Sequence, residues 1–146
     1  MSYLVDTNLL LRLAQPKNPH QREAVRSLRA LRRQKESLAI IPQNLIEFWA
    51  VATRPPANNG LGLTVDETAK LIAKLKSLFT VLPDTSDIFP EWERVVLQYQ
   101  VAGKQAHDAR FVAAMTVHNL THLLTFNTDD FKRYSEITVV DPASVK

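Results

Sequence analysis

The sequence predicts an α/β protein built on a central, mostly parallel sheet of about five short strands covered on both faces by helices. Three observations lead there. Short apolar runs recur at residues 3–6, 38–41, 79–82, 122–126 and 137–140, most of them stopped by a polar residue or a proline. The stretches between them carry apolar residues at helical rather than alternating spacing. The length of 146 residues suits a single domain, residues 1–146, that buries roughly two-thirds of its unfolded surface in one core.

The elements follow in order. Residues 3–6 form a first strand, followed by a helical turn over residues 9–13. Pro16 and Pro19 break the chain before a helix over residues 20–33, where Ala24, Val25, Leu28 and Leu31 share one face. Residues 38–41 form a second strand stopped by Pro42, and residues 44–53 read as a helix. Residues 54–62 hold Pro55, Pro56, Asn58, Asn59, Gly60 and Gly62, a loop that should accommodate neither helix nor strand. Thr64 and Glu67 make a capping box for a helix whose apolar stripe is Val65, Ala69, Ile72, Leu75 and Leu78. A strand at 79–82, helices at 88–99 and 105–119, a strand at 122–126, a short helix at 129–134 and a last strand at 137–140 complete the chain.

Composition narrows the function. With 45% hydrophobic and 23% charged residues the chain has the makeup of a globular domain. The absence of cysteine excludes a disulfide framework, a thiolate zinc site and a cysteine nucleophile. No apolar run approaches the ~20 residues that span a bilayer, and no basic segment with a cleavage site opens the chain. A cytoplasmic protein without membrane partners is expected. The net charge of +3 permits a polyanionic partner. Arg22, Arg26, Arg29 and Arg33 fall on one face of the second helix, either as a solvated surface or as a stripe that contacts phosphates or an acidic partner.

Acidic residues sit where the apolar segments end. Asp6 closes the first strand, Glu47 lies one turn into the helix after the second, and Asn127 and Asp130 follow the strand at 122–126. In open α/β sheets ligands gather beyond the carboxyl ends of the strands, so these residues converge on one edge. Asp108 enters from the start of a helix, on a stripe with Val112 and Met115. Each has an ordinary alternative. Asp6 can cap the next helix, Glu47 can pair with Arg54, Asp108 can face a helix dipole, and Asp130 can belong to a surface turn. Their agreement on one location favours a shared hard cation, Mg2+ or Mn2+, because all the ligands are oxygen. The histidines show no metal-binding spacing, and glycines at 60, 62 and 103 make no phosphate loop.

Taken in order, Leu4-Val5-Asp6-Thr7-Asn8, Leu45-Ile46-Glu47-Phe48, His107-Asp108-Ala109-Arg110 and Leu124-Thr125-Phe126-Asn127-Thr128-Asp129-Asp130-Phe131 resemble the PIN-domain nucleases, and among them the VapC-type toxins of toxin–antitoxin pairs. The resemblance implies a three-layer α/β/α fold and a Mg2+-dependent endoribonuclease, with Mn2+ as a substitute. Asp6, Glu47 and Asp108 match the first three family acids and would hold the metal. Asn127 stands where the fourth acid is expected, with Asp130 supplying charge nearby. Thr7, Asn8 and Thr125 would hold the carboxylates in place by hydrogen bonds. The resemblance also implies an RNA substrate, a cognate antitoxin and a homodimer. The arginines at 22, 26, 29 and 33, Arg110, the region of Trp49 and the loop at 54–62 are candidate contacts with RNA or antitoxin.

Two other readings compete. A haloacid-dehalogenase-like phosphatase would use Asp6 as its nucleophile, but it wants a second aspartate at the position of Asn8. A non-catalytic binding module would use the acids for structure alone. A receiver domain of the response-regulator type is disfavoured, since Asp6 is the only acid just after the first strand.

Overall fold

The computed structural model describes residues 1–146. Five strands form one sheet: β1 (Ser2–Val5), β2 (Ser37–Ile40), β3 (Thr80–Val81), β4 (His122–Leu124) and β5 (Thr138–Val140), in the order β3-β2-β1-β4-β5. Every pairing is parallel, so the mostly parallel sheet expected is wholly so. Six helices connect them: α1 (Thr7–Leu13), α2 (Gln21–Arg33), α3 (Pro42–Thr53), α4 (Val65–Leu78), α5 (Ile88–Gln98) and α6 (Gln105–Val117).

Side-chain alternation along β1 separates the layers. Tyr3 and Val5 join Leu38, Ile40 and Leu124 in a core closed by α1 to α4, with Leu9, Leu10, Leu28, Leu31, Phe48 and Leu75. Leu4 and Leu123 point the other way, into a core with Ile88, Val95, Phe111, Val112, Met115, Phe131 and Tyr134, covered by α5 and α6. This is a three-layer α/β/α arrangement. The chain winds outward from β1 through β2 to β3, crosses to the opposite face and returns beside β1 as β4. The reversal between β1 and β4 is the topological switch point, where such sheets open a crevice for ligands.

Local sequence explains where several elements start. Asp6 accepts a hydrogen bond from the Thr7 backbone N–H at 2.7 Å, so α1 begins at Thr7 and not at the apolar residues further on. Pro42 ends β2 but also opens α3 as its first residue, earlier than expected, since a proline at that position loses no helical hydrogen bond. The predicted capping box on α4 forms, with Thr64 and Glu67 exchanging hydrogen bonds of 3.0 Å each.

Other expectations need correction. The loop at 54–62 contains a 3-10 turn, Pro56–Asn58, and Gly60 lies against the Arg54 carbonyl where a Cβ would come within 1.9 Å of the oxygen. The short helix expected at 129–134 is a 3-10 turn over Thr128–Phe131. On α4, Val65 is 60% exposed and Leu75 is buried with Thr68, so the stripe is narrower than its periodicity suggests. No helix is long and apolar enough to cross a membrane.

Candidate active site

Asp6, Glu47, Asp108, Asn127 and Asp130 line one open cleft of about 330 Å³ at the carboxyl end of the sheet, with Thr7 and Asn8 in its wall. They reach it from separate elements. Asp6 follows β1, Glu47 projects from α3, Asp108 from the start of α6, and after β4 Asn127 precedes the 3-10 turn that contains Asp130. The cleft is lined by four carboxylates and has no lysine or arginine in its wall.

Asp6 is the deepest of the acids, 8% exposed. Its Oδ1 takes the Thr7 N–H and its Oδ2 takes the Thr125 hydroxyl, both at 2.7 Å. The Thr125 oxygen in turn accepts from the Asn127 backbone N–H at 2.9 Å and from Asn8 Nδ2 at 3.3 Å. With its lone pairs so engaged, the hydroxyl proton is committed to Asp6. Thr125 thus ties the end of β4 to the end of β1 across the switch point. The cap foreseen for Asp6 and its place in the cleft are one and the same geometry.

Glu47 does not pair with Arg54. Its Oε1 accepts the Thr7 hydroxyl and its Oε2 accepts Gln43 Nε2, each at 3.0 Å. Thr7 therefore bridges two carboxylates, touching Asp6 through its backbone and Glu47 through its side chain. Asn44, fully buried, donates to the Val5 carbonyl at 2.9 Å and to Thr7 Oγ1 at 3.2 Å. Its Oδ1 accepts the Ile41 N–H at 2.8 Å. These bonds lock the start of α3 to the end of β1. Gln43 and Asn44 were not singled out from the sequence; the available signal was an amide three residues after Ile41, at a helix start opened by proline.

The electrostatics match the crowding. Burial pushes the Asp6 carboxyl up to about 6, against the bonds from Thr125 and Thr7, with Asp108 and Glu47 adding repulsion. Burial also pushes Asp108 up to about 6, reinforced by Asp130 and Glu47 and opposed by His107 and Arg133. The side chain of Asn8 leaves its Oδ1 buried without a partner. An oxygen-only donor set, an excess of negative charge and an unfilled amide oxygen suit a hard divalent cation. As the side chains stand, no three acids or histidines are grouped closely enough to hold an ion.

The arginines divide. Arg22, Arg26, Arg29 and Arg33 share a separate groove on α2 and contribute nothing to the acidic cleft. Arg26 is engaged with the Val145 and Pro142 carbonyls at 2.6 and 2.9 Å and with Glu23. Arg110 lies beside the cleft, in a second pocket bordered by Glu47. Phe48 is buried in the core, whereas Trp49 is 36% exposed.

Comparison with known proteins bears on the fold and the family. No match to a curated protein sequence was found. Among solved structures, VapBC2 from Rickettsia felis, bound to a DNA fragment from its promoter, aligns at a TM-score of 0.75 and 14% identity, over 97% of this chain and 98% of that one. A toxin–antitoxin complex from Klebsiella pneumoniae aligns at 0.63 and 25% identity, over 96% and 97% of the two chains. VapC20 from Mycobacterium tuberculosis, a toxin that cleaves the sarcin-ricin loop, aligns at 0.62 and 19% identity, over 88% and 92%. The family model described as the PIN domain matches residues 3–137, and the chain belongs to that family.

Proposed function

We propose that this chain is a Mg2+-dependent endoribonuclease that hydrolyses RNA phosphodiester bonds, with Mn2+ able to replace Mg2+. PIN domains are nucleases. The observation that carries the finer reading is the cleft of four carboxylates without a basic residue, two of which titrate at about 6. Asp6, Glu47 and Asp108 would hold the metal, which when bound makes water acidic enough to attack at neutral pH and offsets charge on the phosphate. Thr125 and Thr7 keep the Asp6 oxygens turned toward the cleft, and Asn44 keeps Thr7 in place. Gln43 steadies Glu47. Asp130 adds negative charge beside Asp108, and Asn127 contributes a neutral amide where a fourth acid would give one more charge.

Attack by water with the ribose 3′-oxygen as leaving group leaves a 5′-phosphate and a 3′-hydroxyl. Incubation with total RNA and Mg2+, followed by mapping of the ends, tests the scheme; a 2′,3′-cyclic phosphate among the products overturns it. The phosphatase alternative is disfavoured by the family and by Asn8, whose amide donates to Thr125.

The solved toxin–antitoxin complexes that share the fold support a toxin role. In this reading residues 1–146 act as one domain in the cytoplasm, as a homodimer held in check by a cognate antitoxin. The α2 arginines, Trp49 and the loop at 54–62 are the surfaces for these contacts. Growth arrest on expression, relieved by the adjacent small reading frame, is the expected phenotype. Harmless expression of active enzyme counts against it.

A further inference from the structure

A second pocket, of about 390 Å³, adjoins the acidic cleft and shares Glu47 with it. Gln43, Ile46, Asp84, His107 and Arg110 complete its lining. It lies toward the β2–β3 side of the sheet edge, since Gln43 follows β2 and Asp84 follows β3. The strand step is about 4.8 Å, so β3 is roughly 10 Å from β1 and the Asp6 end of the cleft. A polynucleotide running along the carboxyl edge with a phosphate at the acids would bring a neighbouring nucleotide over this pocket.

Its polar groups are organised. Arg110 Nη2 pairs with Asp84 Oδ1 at 3.1 Å, and Nη1 donates to Gln43 Oε1 at 3.2 Å. Gln43 Nε2 is held by Glu47 and by the His107 carbonyl at 2.9 Å. The segment carrying Asp84 is pinned from the residue that ends α6, where His118 Nε2 lies 2.8 Å from the Pro83 carbonyl. Ile46, 68% exposed, offers an apolar surface beside these groups.

Paired charges decide what the pocket accepts. Asp84 offsets Arg110, and Glu47 adds further negative charge, so a phosphate gains little there. A neutral base with donors and acceptors side by side gains more. Arginine is matched to the O6 and N7 acceptors of guanine, and a carboxylate accepts from the N–H groups on that base's pairing edge. The Arg110–Asp84 pair presents both functions next to each other. Unpaired bases in single-stranded RNA are read in this way, with an apolar or aromatic side chain against the base face.

We propose that this pocket holds a guanine base of single-stranded RNA, next to the phosphate being cleaved, read by Arg110 and Asp84. The proposal rests on the ribonuclease reading and adds its specificity. Binding is measured with short fluorescent RNAs in Ca2+, comparing an all-adenine strand with strands carrying one guanine or one inosine. A single guanine should raise affinity about tenfold, the effect of one good pair of base contacts. Inosine, lacking the amino group that Asp84 would accept, should fall between. Arg110→Gln and Asp84→Asn should each remove the guanine preference, and Asp84→Asn, whose side chain touches only Arg110, should leave Mn2+ binding measured by calorimetry unchanged. Arg110→Lys keeps the charge but not the paired donors, and should lose the preference as well. Equal affinity for all strands, or a preference that survives both Arg110→Gln and Asp84→Asn, overturns the pocket's role. Failure of the nuclease reading shows separately, as intact RNA after incubation of the wild-type protein with Mg2+.

Discussion

Replacing Asp6 by asparagine should make the metal-free protein more stable at neutral pH. The carboxyl titrates at about 6 in the fold against a reference of 3.8. Because the folded value is the higher one, protonation favours the fold. That contribution is fully present below about pH 4 and is lost as pH rises through about 6. Ionised Asp6 therefore costs about 3 kcal/mol at pH 7.5, from two pKa units at ~1.4 kcal/mol each. Asparagine removes that cost but not without loss. The Thr125 hydroxyl already accepts two N–H groups and can only donate toward residue 6, so an amide nitrogen there meets a donor. One forfeited hydrogen bond costs about 1 kcal/mol, leaving a net gain near 2 kcal/mol. Urea unfolding in EDTA at pH 7.5 and pH 5 measures it. At pH 5 the wild-type residue is largely protonated, and the advantage should fall below about 1 kcal/mol. In saturating Mg2+ the order should reverse, because only the native wild-type site gains from the ion. An Asp6→Asn protein no more stable than wild type in EDTA at pH 7.5, or an advantage unchanged at pH 5, refutes the reasoning.

Other predictions follow from the same geometry. Asp108→Asn should abolish RNA cleavage while leaving the circular dichroism spectrum intact; retained activity in protein purified away from host nucleases removes Asp108 from the site. Mn2+ affinity, followed by calorimetry, should rise between pH 5 and pH 7, as Asp6 and Asp108 lose protons near 6; a flat profile contradicts their role as ligands. Asn44→Ala leaves the Val5 carbonyl and the Ile41 N–H without their partner, and should destabilise by about 2–3 kcal/mol in urea unfolding. Phe48→Ala empties a fully buried site in the core and should cost about 3–5 kcal/mol by the same measurement.

The strands and most helices were legible because their apolar periodicities differ, and buried parallel strands have few other sequence patterns. The convergence of Asp6, Glu47, Asn127 and Asp130 on one cleft was legible for a topological reason, whereas Asp108 reaches it from the start of α6. Residues that follow parallel strands must emerge at the same edge. What the sequence did not reveal lies between elements. Asn44 and Gln43 look like ordinary polar residues of a helix start, and only the fold turns them toward Thr7, Glu47 and Arg110. The partnership of Arg110 with Asp84 joins residues 26 apart in different elements, with no local pattern to announce it. The narrow α4 stripe misled in the other direction: periodicity says which residues share a face, but the neighbours decide how much of it they cover.

The placement of β1 has a consequence for biosynthesis. This strand lies between β2 and β4, and Asp6 is fastened by Thr125, a residue 119 positions later in the chain. A growing polypeptide that has not reached β4 has a gap on one side of its first strand and no threonine to orient the buried carboxylate. Contacts so distant in sequence close late in folding. The acidic cleft is therefore complete only once β4 has joined the sheet beside β1.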